Sequence, residues 1–360
     1  MISFLKRIGF SLGLASYTHA AISWVDGTVR ALVLKRTSSH VRIVSYEEIT
    51  LPVGTVDEGN VRNPSALLAA LIQVKKNLGI RAAHILLPEE QAYVFHTRTV
   101  RMFRNAQRTV IEDHLKAFLA THDVLRDGQY SCEYDVVDES PESIDLHVSV
   151  LPNAYVNQYR SVATRGGIKP LSLEVGMHQV SLHCKDYLRG GIILVEFGKN
   201  RTVVSLSNHG RIIDRSIHKI GYEELVSVIK RFLGVSDGEA MRILETYGLL
   251  QLHPENGLLS ELLLSLSPIT RSIDLLIRSH LEGPYRPAAL RFRAEHVVIY
   301  GSGSWVKGLE MFFQIRSRLP ASFLRIGPDH ILPENMMKLP AGKVLSFAPL
   351  LALTLAHSRE

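Results

Sequence analysis

Cysteine is scarce. The chain of 360 residues holds two, Cys132 and Cys184, far apart and in no CxxC pair. That excludes a disulfide framework, fits a reducing compartment and argues against a structural zinc site. Long apolar runs are lacking as well: no segment offers the roughly 18 uncharged apolar residues of a spanning helix. Dense basic clusters are missing too. The 41 Lys and Arg exceed the 35 Asp and Glu, for a net charge of +6, yet no run of five or more forms. The surplus therefore points to solubility and a membrane-facing side rather than to nucleic acid. There is no GxxxxGK[ST] phosphate loop and no GxSxG nucleophile elbow, which removes two common enzyme classes. What remains is 46% hydrophobic and 21% charged, the make-up of a globular chain too long for one small core, so two domains or one domain with subdomains are expected.

The start, "MISFLKRIGFSLGLASYTHAAISWV", sets Lys6 and Arg7 before an apolar stretch, as a secretory signal does. Ser11, Gly13, Ser16, Thr18 and His19 dilute that stretch, and residues 1–19 read instead as a short basic amphipathic tail able to touch a membrane surface. Three β-rich runs follow in residues 20–49, joined by Asp26-Gly27, a strong hairpin signal, and by Thr37-Ser38-Ser39. Pro64 opens a helix that closes at Gly79, and "AHILLP" is a short buried strand. The first lobe is placed at 20–88. Residues 89–170 read as an inserted α/β unit: a strand at 92–101, a helix over 107–125, strands "YSCEYDVVD" and "SIDLHVSVLP", and the helix "NAYVNQYRSVATRGG".

Residues 171–222 carry a second strand–turn–strand–turn–strand plan, with turns at Gly198-Lys199-Asn200 and Asn208-His209-Gly210. Laid beside residues 20–49 it reads as an internal duplication, two related halves facing a cleft. A helical region spans 223–290. Within 291–360 come the apolar strand "EHVVIY", the turn Gly301-Ser302-Gly303-Ser304, a helix carrying Val306, Leu309, Phe312 and Phe313, and a last helix at 347–357. Such a glycine turn serves phosphate or ribose binding and plain strand-to-helix packing alike. As part of a dinucleotide fingerprint it lacks the third glycine.

Two meander-bearing halves followed by a late strand–"GSG"–helix resemble the actin-like (ribonuclease H-like) superfamily, an α/β duplicated two-lobe fold with an inserted α/β subdomain. Within it, residues 20–357 look like the PilM family of type IV pilus assembly proteins, through "RIVSYEEITLPVGTVDEGNVRNPSAL", "RSIHKIGYEEL" and "IYGSGSWVKGL" taken in that order. The resemblance implies a cytoplasmic scaffold, peripheral at the inner membrane. It would capture the cytoplasmic tail of a PilN-type bitopic membrane protein in a groove between its first core subdomain and the inserted unit, reach the membrane surface through that partner, meet other pilus assembly proteins and bind no nucleic acid. An actin-like ATPase or sugar kinase, and an FtsA-like membrane-tethered filament, are the alternatives of other classes. The C-terminal "FAPLLALTLAHSRE" is apolar on most sides and reads as a packed helix rather than an amphipathic tether.

The superfamily holds the phosphates of Mg-ATP between two hairpins, each with a carboxylate and a close-approach glycine. In the second hairpin, "VEFGKNRTVV", Gly198 is kept, Thr202 supplies a hydroxyl and Glu196 stands where aspartate is usual. In the first, one register puts Ser23 at the acid and Val25 at the glycine; another keeps Gly13 but puts Ala15 at the acid and Tyr17 at the glycine. Both lack carboxylate and glycine together, and Asp26 replaces the acid only if the hairpin tip moves. The expected site is thus vestigial, made of Glu196, Gly198, Thr202, Gly301, Ser302 and Gly303, with no catalytic residue, no resident metal and at most weak Mg-ATP binding. His178, His183 and Cys184 are the nearest histidine–cysteine group, and their five-residue spacing misses the i,i+4 geometry of a helical metal pair.

Overall fold

The computed structural model describes residues 17–36, 41–100, 113, 116, 130–249, 257–282, 293–326 and 339–358. Residues 1–16 of the N-terminal tail, Thr37-Ser38-Ser39 and all but two residues of the 107–125 helix lie outside them; Tyr17, Thr18 and His19, read as the end of that tail, instead open the first strand. Strand β1 (Tyr17–Val25) turns through Asp26-Gly27 into β2 (Thr28–Arg36), with Val25 opposite Thr28. Asp26 and Gly27 take φ of 55° and 71°, the paired left-handed residues of a two-residue hairpin that Asp-Gly adopts readily. This decides the register of the first hairpin. Tyr17 pairs with Arg36 at the end remote from the tip, so the placement built on Gly13 and Tyr17 is corrected, and Ser23, Val25 and Asp26 lead to the tip.

Strand β3 (Val41–Thr50) completes the first meander, and the short β4 (Val56–Asp57) and β5 (Asn60–Val61) pair with each other. Helix α1 (Pro64–Leu78) starts as expected: the Asn63 side chain accepts from the Ala66 N–H, and Gly79 closes the helix in the left-handed region. Strand β6 (Ala82–Leu87) then lies parallel to β1. Strands β7 (Tyr93–Val100), β8 (Tyr130–Glu139) and β9 (Ser143–Pro152) form a separate antiparallel sheet in the order β7-β9-β8. Helix α2 (Asn153–Arg165) returns the chain to β10 (Lys169–Val175), parallel to β6. The first large sheet is therefore β3-β2-β1-β6-β10.

After helix α3 (Gly176–Cys184), strands β11 (Gly191–Phe197), β12 (Thr202–Asn208) and β13 (Arg211–His218) repeat the meander. Helices α4 (Tyr222–Leu233), α5 (Asp237–Thr246), α6 (Leu258–Ser265) and α7 (Ser267–Glu282) follow. Then come β14 (Ala294–Tyr300), α8 (Leu309–Ser317), β15 (Ala321–Phe323), α9 (Ala341–Val344) and α10 (Ala348–Ser358). The second large sheet is β13-β12-β11-β14-β15, with β14 parallel to β11 and β15 parallel to β14. Each sheet is thus an antiparallel meander extended by two parallel strands, and the duplication read in the sequence is a duplication of topology.

The buried side chains explain how the halves join. α1 and α2 cover one face of the first sheet, where Leu67, Leu71, Tyr159 and Val162 pack with Ile22, Trp24 and Ile85. Trp24 and Tyr159 stack with centroids 4.9 Å apart. Helix α2, read as part of the inserted unit, therefore shares the first lobe's core, and the portion forming a sheet of its own is β7 to β9. Between the two large sheets, α3 packs on Ile192, Leu194 and Val298, α10 packs on Ala21, Leu32 and Leu86, and the two helices meet. Helix α10 buries Leu350, Leu351, Ala352, Leu353 and Leu355, the all-round burial its composition implied. At about 25 cal/mol per Å² of apolar surface, such a helix holds the sheets together rather than tethering the chain to a bilayer. Among the described residues no helix is long and apolar enough to cross a membrane.

Candidate functional site

The two hairpin tips meet. The turn after β11 is drawn tight because the Gly198 N–H donates to the Arg201 carbonyl (2.9 Å), and its carbonyls receive the N–H groups that open α4: Tyr222 to Gly198 (3.1 Å) and Glu223 to Lys199 (3.0 Å). The tip's own amides point the other way, to the first hairpin. Asp26 Oδ1 accepts from the Asn200 N–H at 2.9 Å, and Oδ2 accepts from that of Lys199. A Cβ on Gly198 would lie 2.6 Å from Asp26 Oδ2 and 2.7 Å from the Arg201 carbonyl oxygen, so glycine is required here by the contact between the hairpins. Asp26 replaces no metal-facing acid; it takes the amide nest of the opposite tip, the kind of concavity that binds anions.

Beneath this contact lies a charge cluster that the sequence did not announce. Arg201 is 8% exposed. Its Nη2 donates to Glu89 Oε2 at 2.8 Å, its Nη1 lies 3.0 Å from Glu90 Oε1, and Glu196 Oε2 is 3.5 Å from Nη2. Glu89, just past β6, also accepts from the Met177 N–H (2.9 Å) at the start of α3, where the helix dipole favours a negative charge. Burial pushes the Glu196 carboxyl up to about 8, against the pull of Arg201 and reinforced by Glu89, Glu90 and Asp26. Burial likewise raises Glu90 above the ordinary carboxylate range. The cluster ties the first lobe, through Glu89 and Glu90, to the β11–β12 hairpin of the second.

The expected site residues divide accordingly. Glu196 faces Arg201, and a divalent ion beside it would sit next to a guanidinium. Thr202 is fully buried, and its Oγ1 donates to the Ile220 carbonyl at 2.6 Å, so its hydroxyl is spent inside the second lobe. Gly301 and Gly303 serve packing: Gly301 has φ of 105°, and the Gly303 N–H donates to the Phe197 carbonyl at 2.8 Å. A Cβ on Gly303 would come within 2.5 Å of Phe197 Cδ1. Gly303→Ala is accordingly expected to cost about 1–3 kcal/mol through overpacking and to lower the melting temperature by several degrees, with Phe197→Leu in the same chain restoring part of it. An unchanged melting curve would show that the turn is looser than its contacts imply.

Ser302 alone of that turn lines the neighbouring cavity of about 310 Å³, together with Arg30, Lys199, Tyr222, Trp305 and Lys343. Tyr222 and Trp305 meet edge to face at 5.3 Å. Glu48 spans the cleft rim, accepting from Arg30 Nε (3.0 Å) and Lys343 Nζ (2.6 Å). Against the upward push of its burial, Lys343 and Arg30 hold its carboxyl below the usual value.

Of the other histidine–cysteine candidates, His183 Nε2 lies 3.1 Å from the Arg325 carbonyl oxygen. Cys184 is buried against the Tyr187 hydroxyl at 3.4 Å, and burial pushes its thiol up to about 12. The three residues do not converge. The residues that dominate the joint between the lobes, Arg201, Glu89 and Glu90, carried one faint sign in the sequence: a charged pair, Glu89-Glu90, directly after a buried strand.

No family model matches the chain, and no curated protein matches it. Solved structures do. A PilM-PilN type IV pilus biogenesis complex superposes with a TM-score of 0.69 at 13% identity, covering 94% of this chain and 98% of that one. MreB 5 of Spiroplasma citri bound to AMPPNP gives 0.54 at 10% identity, covering 95% and 96%. The ethanolamine utilization protein EutJ from Carboxydothermus hydrogenoformans gives 0.51 at 11%, covering 95% and 91%. The fold is therefore the actin-like one, as the order of elements implied.

Proposed function

We propose that the chain is a cytoplasmic scaffold, peripheral at the inner membrane, of a type IV pilus or related secretion assembly. In this reading it holds the cytoplasmic tail of a PilN-type bitopic membrane protein and carries a degenerate nucleotide cleft. The observation that carries the reading is that the chain's own charges occupy the joint between the two hairpin tips. The Asp26 carboxylate lies on the Lys199 and Asn200 amides, where it opposes a phosphate, and the Arg201 guanidinium lies among the carboxylates, where it opposes a magnesium ion. Mg-ATP does not fit these residues as placed, and no catalytic step follows from them. Support for the partner is the likeness, over nearly all of both chains, to the PilM-PilN complex. Among the described residues the inserted sheet also leaves β8 as an edge strand with Tyr134 and Val136 exposed, and an extended tail adds to such an edge through backbone hydrogen bonds.

The experiment has two arms. Thermal unfolding across a Mg-ATP titration is expected to show no shift up to millimolar nucleotide, and phosphate release is expected to stay at background. A saturable rise of a few degrees, the size expected for a ligand at about 100 times its dissociation constant, would overturn the degenerate cleft in favour of an actin-like ATPase, a class to which the cavity beside Lys199, Lys343 and Ser302 gives room. In the second arm, a labelled peptide with the sequence of a PilN-type cytoplasmic tail is titrated with the protein. Saturable anisotropy that Val136→Asp abolishes is expected; a peptide that never binds would sink the scaffold reading. Sedimentation independent of protein concentration separates it from a filament.

A further inference from the structure

Away from the cleft, the face of the first sheet covered by α10 is apolar except at one end. There β6 places His84 and β10 places Ser172 and Glu174 on the same face, since Ser172 pairs with His84 and Glu174 lies two residues on. Helix α10 brings His357 down onto them. His84, Glu174 and His357 each offer a ligand atom, and these atoms lie within 4.8 Å of one another. His84 is 7% exposed and the other two are half-buried. None of the three lines the cavity beside the hairpin tips.

We propose that His84, Glu174 and His357 form a binding site for a divalent transition-metal ion of the zinc type. Two imidazoles and one carboxylate, with a water in the fourth position, are a common ligand set for that ion. The supports that metal ligands require are also present. His84 Nδ1 is 2.9 Å from Ser172 Oγ; in the tautomer that donates there, the ring lone pair lies on Nε2. The Gln179 amide donates to the second carboxylate oxygen of Glu174 at 2.5 Å. Such outer partners fix ring orientation and tautomer. His357 Nε2 now contacts Glu174 Oε1 at 2.5 Å, and tetrahedral ligands at zinc distances stand about 3.3 Å apart. The ion would therefore open this pair by less than about 1 Å. The rings of His84 and His357 are stacked, 4.0 Å apart and 11° from parallel, and they must fan apart for both lone pairs to aim at one ion. His357 can supply that motion because it sits in the last turn of α10. A bound ion would pin that turn to β6 and β10, next to the point where Arg36 of β2 donates to the Ser358 carbonyl.

The test uses chelator-stripped full-length protein titrated with Zn²⁺ alone, read by competition with a chromophoric chelator and by thermal unfolding, and with Co²⁺, read by its visible absorption. One equivalent is expected to bind, to raise the melting temperature by a few degrees and to give the intense bands of a four-coordinate cobalt site. His357→Gln and Glu174→Gln should each weaken binding at least 10-fold, in line with the loss of a ligand, while His209→Gln on the exposed β12–β13 turn leaves it unchanged. Unfolding curves without metal show that each variant folds. Binding should also weaken in acid, because protons compete with the ion for its ligands. Absence of stoichiometric binding, or binding that survives both His357→Gln and Glu174→Gln, would overturn the proposal.

Discussion

Arg201→Met is expected to destabilise the protein by about 3–5 kcal/mol, the loss typical of a buried ion cluster stripped of one partner. The guanidinium is the shared partner of Glu89, Glu90 and Glu196, and methionine keeps most of the apolar stem of the side chain while removing the charged head. Glu89 and Glu90 then face each other beside the protonated Glu196, with Arg215 as the remaining nearby cation. They must take up a proton or draw in water, and either outcome loosens the joint between β6 and the β11–β12 hairpin. Arg201→Met combined with Glu90→Gln and Glu196→Gln should recover most of the loss, because Glu89, the one carboxylate then left in the cluster, keeps the Met177 N–H and the nearby Arg215 as partners. Urea unfolding of the single and triple variants checks this. A single variant as stable as the parent would mean that the carboxylates reach solvent and that Arg201 organises nothing.

The long range of these contacts explains why the fold was legible in the sequence and the site was not. The Asp26-Gly27 turn and the helix from Asn63-Pro64 through Gly79 are local devices whose shaping contacts lie within one element, and the order of such elements was enough for the duplicated sheets. Arg201 and Glu89 are 112 positions apart, Asp26 and Lys199 are 173, and His357 and Glu174 are 183. No periodicity or spacing rule connects residues at that distance; only the packing of one lobe against the other does. The first hairpin also shows how a correct local reading leaves the chemistry open. The loss of the usual acid and glycine could be read at Ser23 and Val25, but the new role of Asp26 depended on where the second tip lay. Gly301 and Gly303 are the converse case: a pattern that suggested a ligand proves to be required by the ring and carbonyl of Phe197.

The second large effect concerns pH. The Glu196 carboxyl titrates near 8 in the folded chain and near 4.3 in an unfolded one, so the native state holds a proton that the unfolded state releases. Stability from that proton is complete below about pH 4.3, declines across the interval above it and is gone once the pH has passed through about 8, at up to about 1.4 kcal/mol per pH unit. Glutamine keeps the shape and stays neutral, so Glu196→Gln should match the parent near pH 4 and exceed it by a few kcal/mol at pH 9, with the difference growing most steeply between pH 5 and 8. Glu90 is raised in the same direction and leaves a residual slope that Glu90→Gln should flatten further. Chemical unfolding from pH 4 to 9 of the parent and both variants measures this directly. If the parent were instead more stable at pH 9 than Glu196→Gln, the ionised Glu196 carboxylate would be favourably paired in the folded state, and Arg201 would outweigh the cost of its burial.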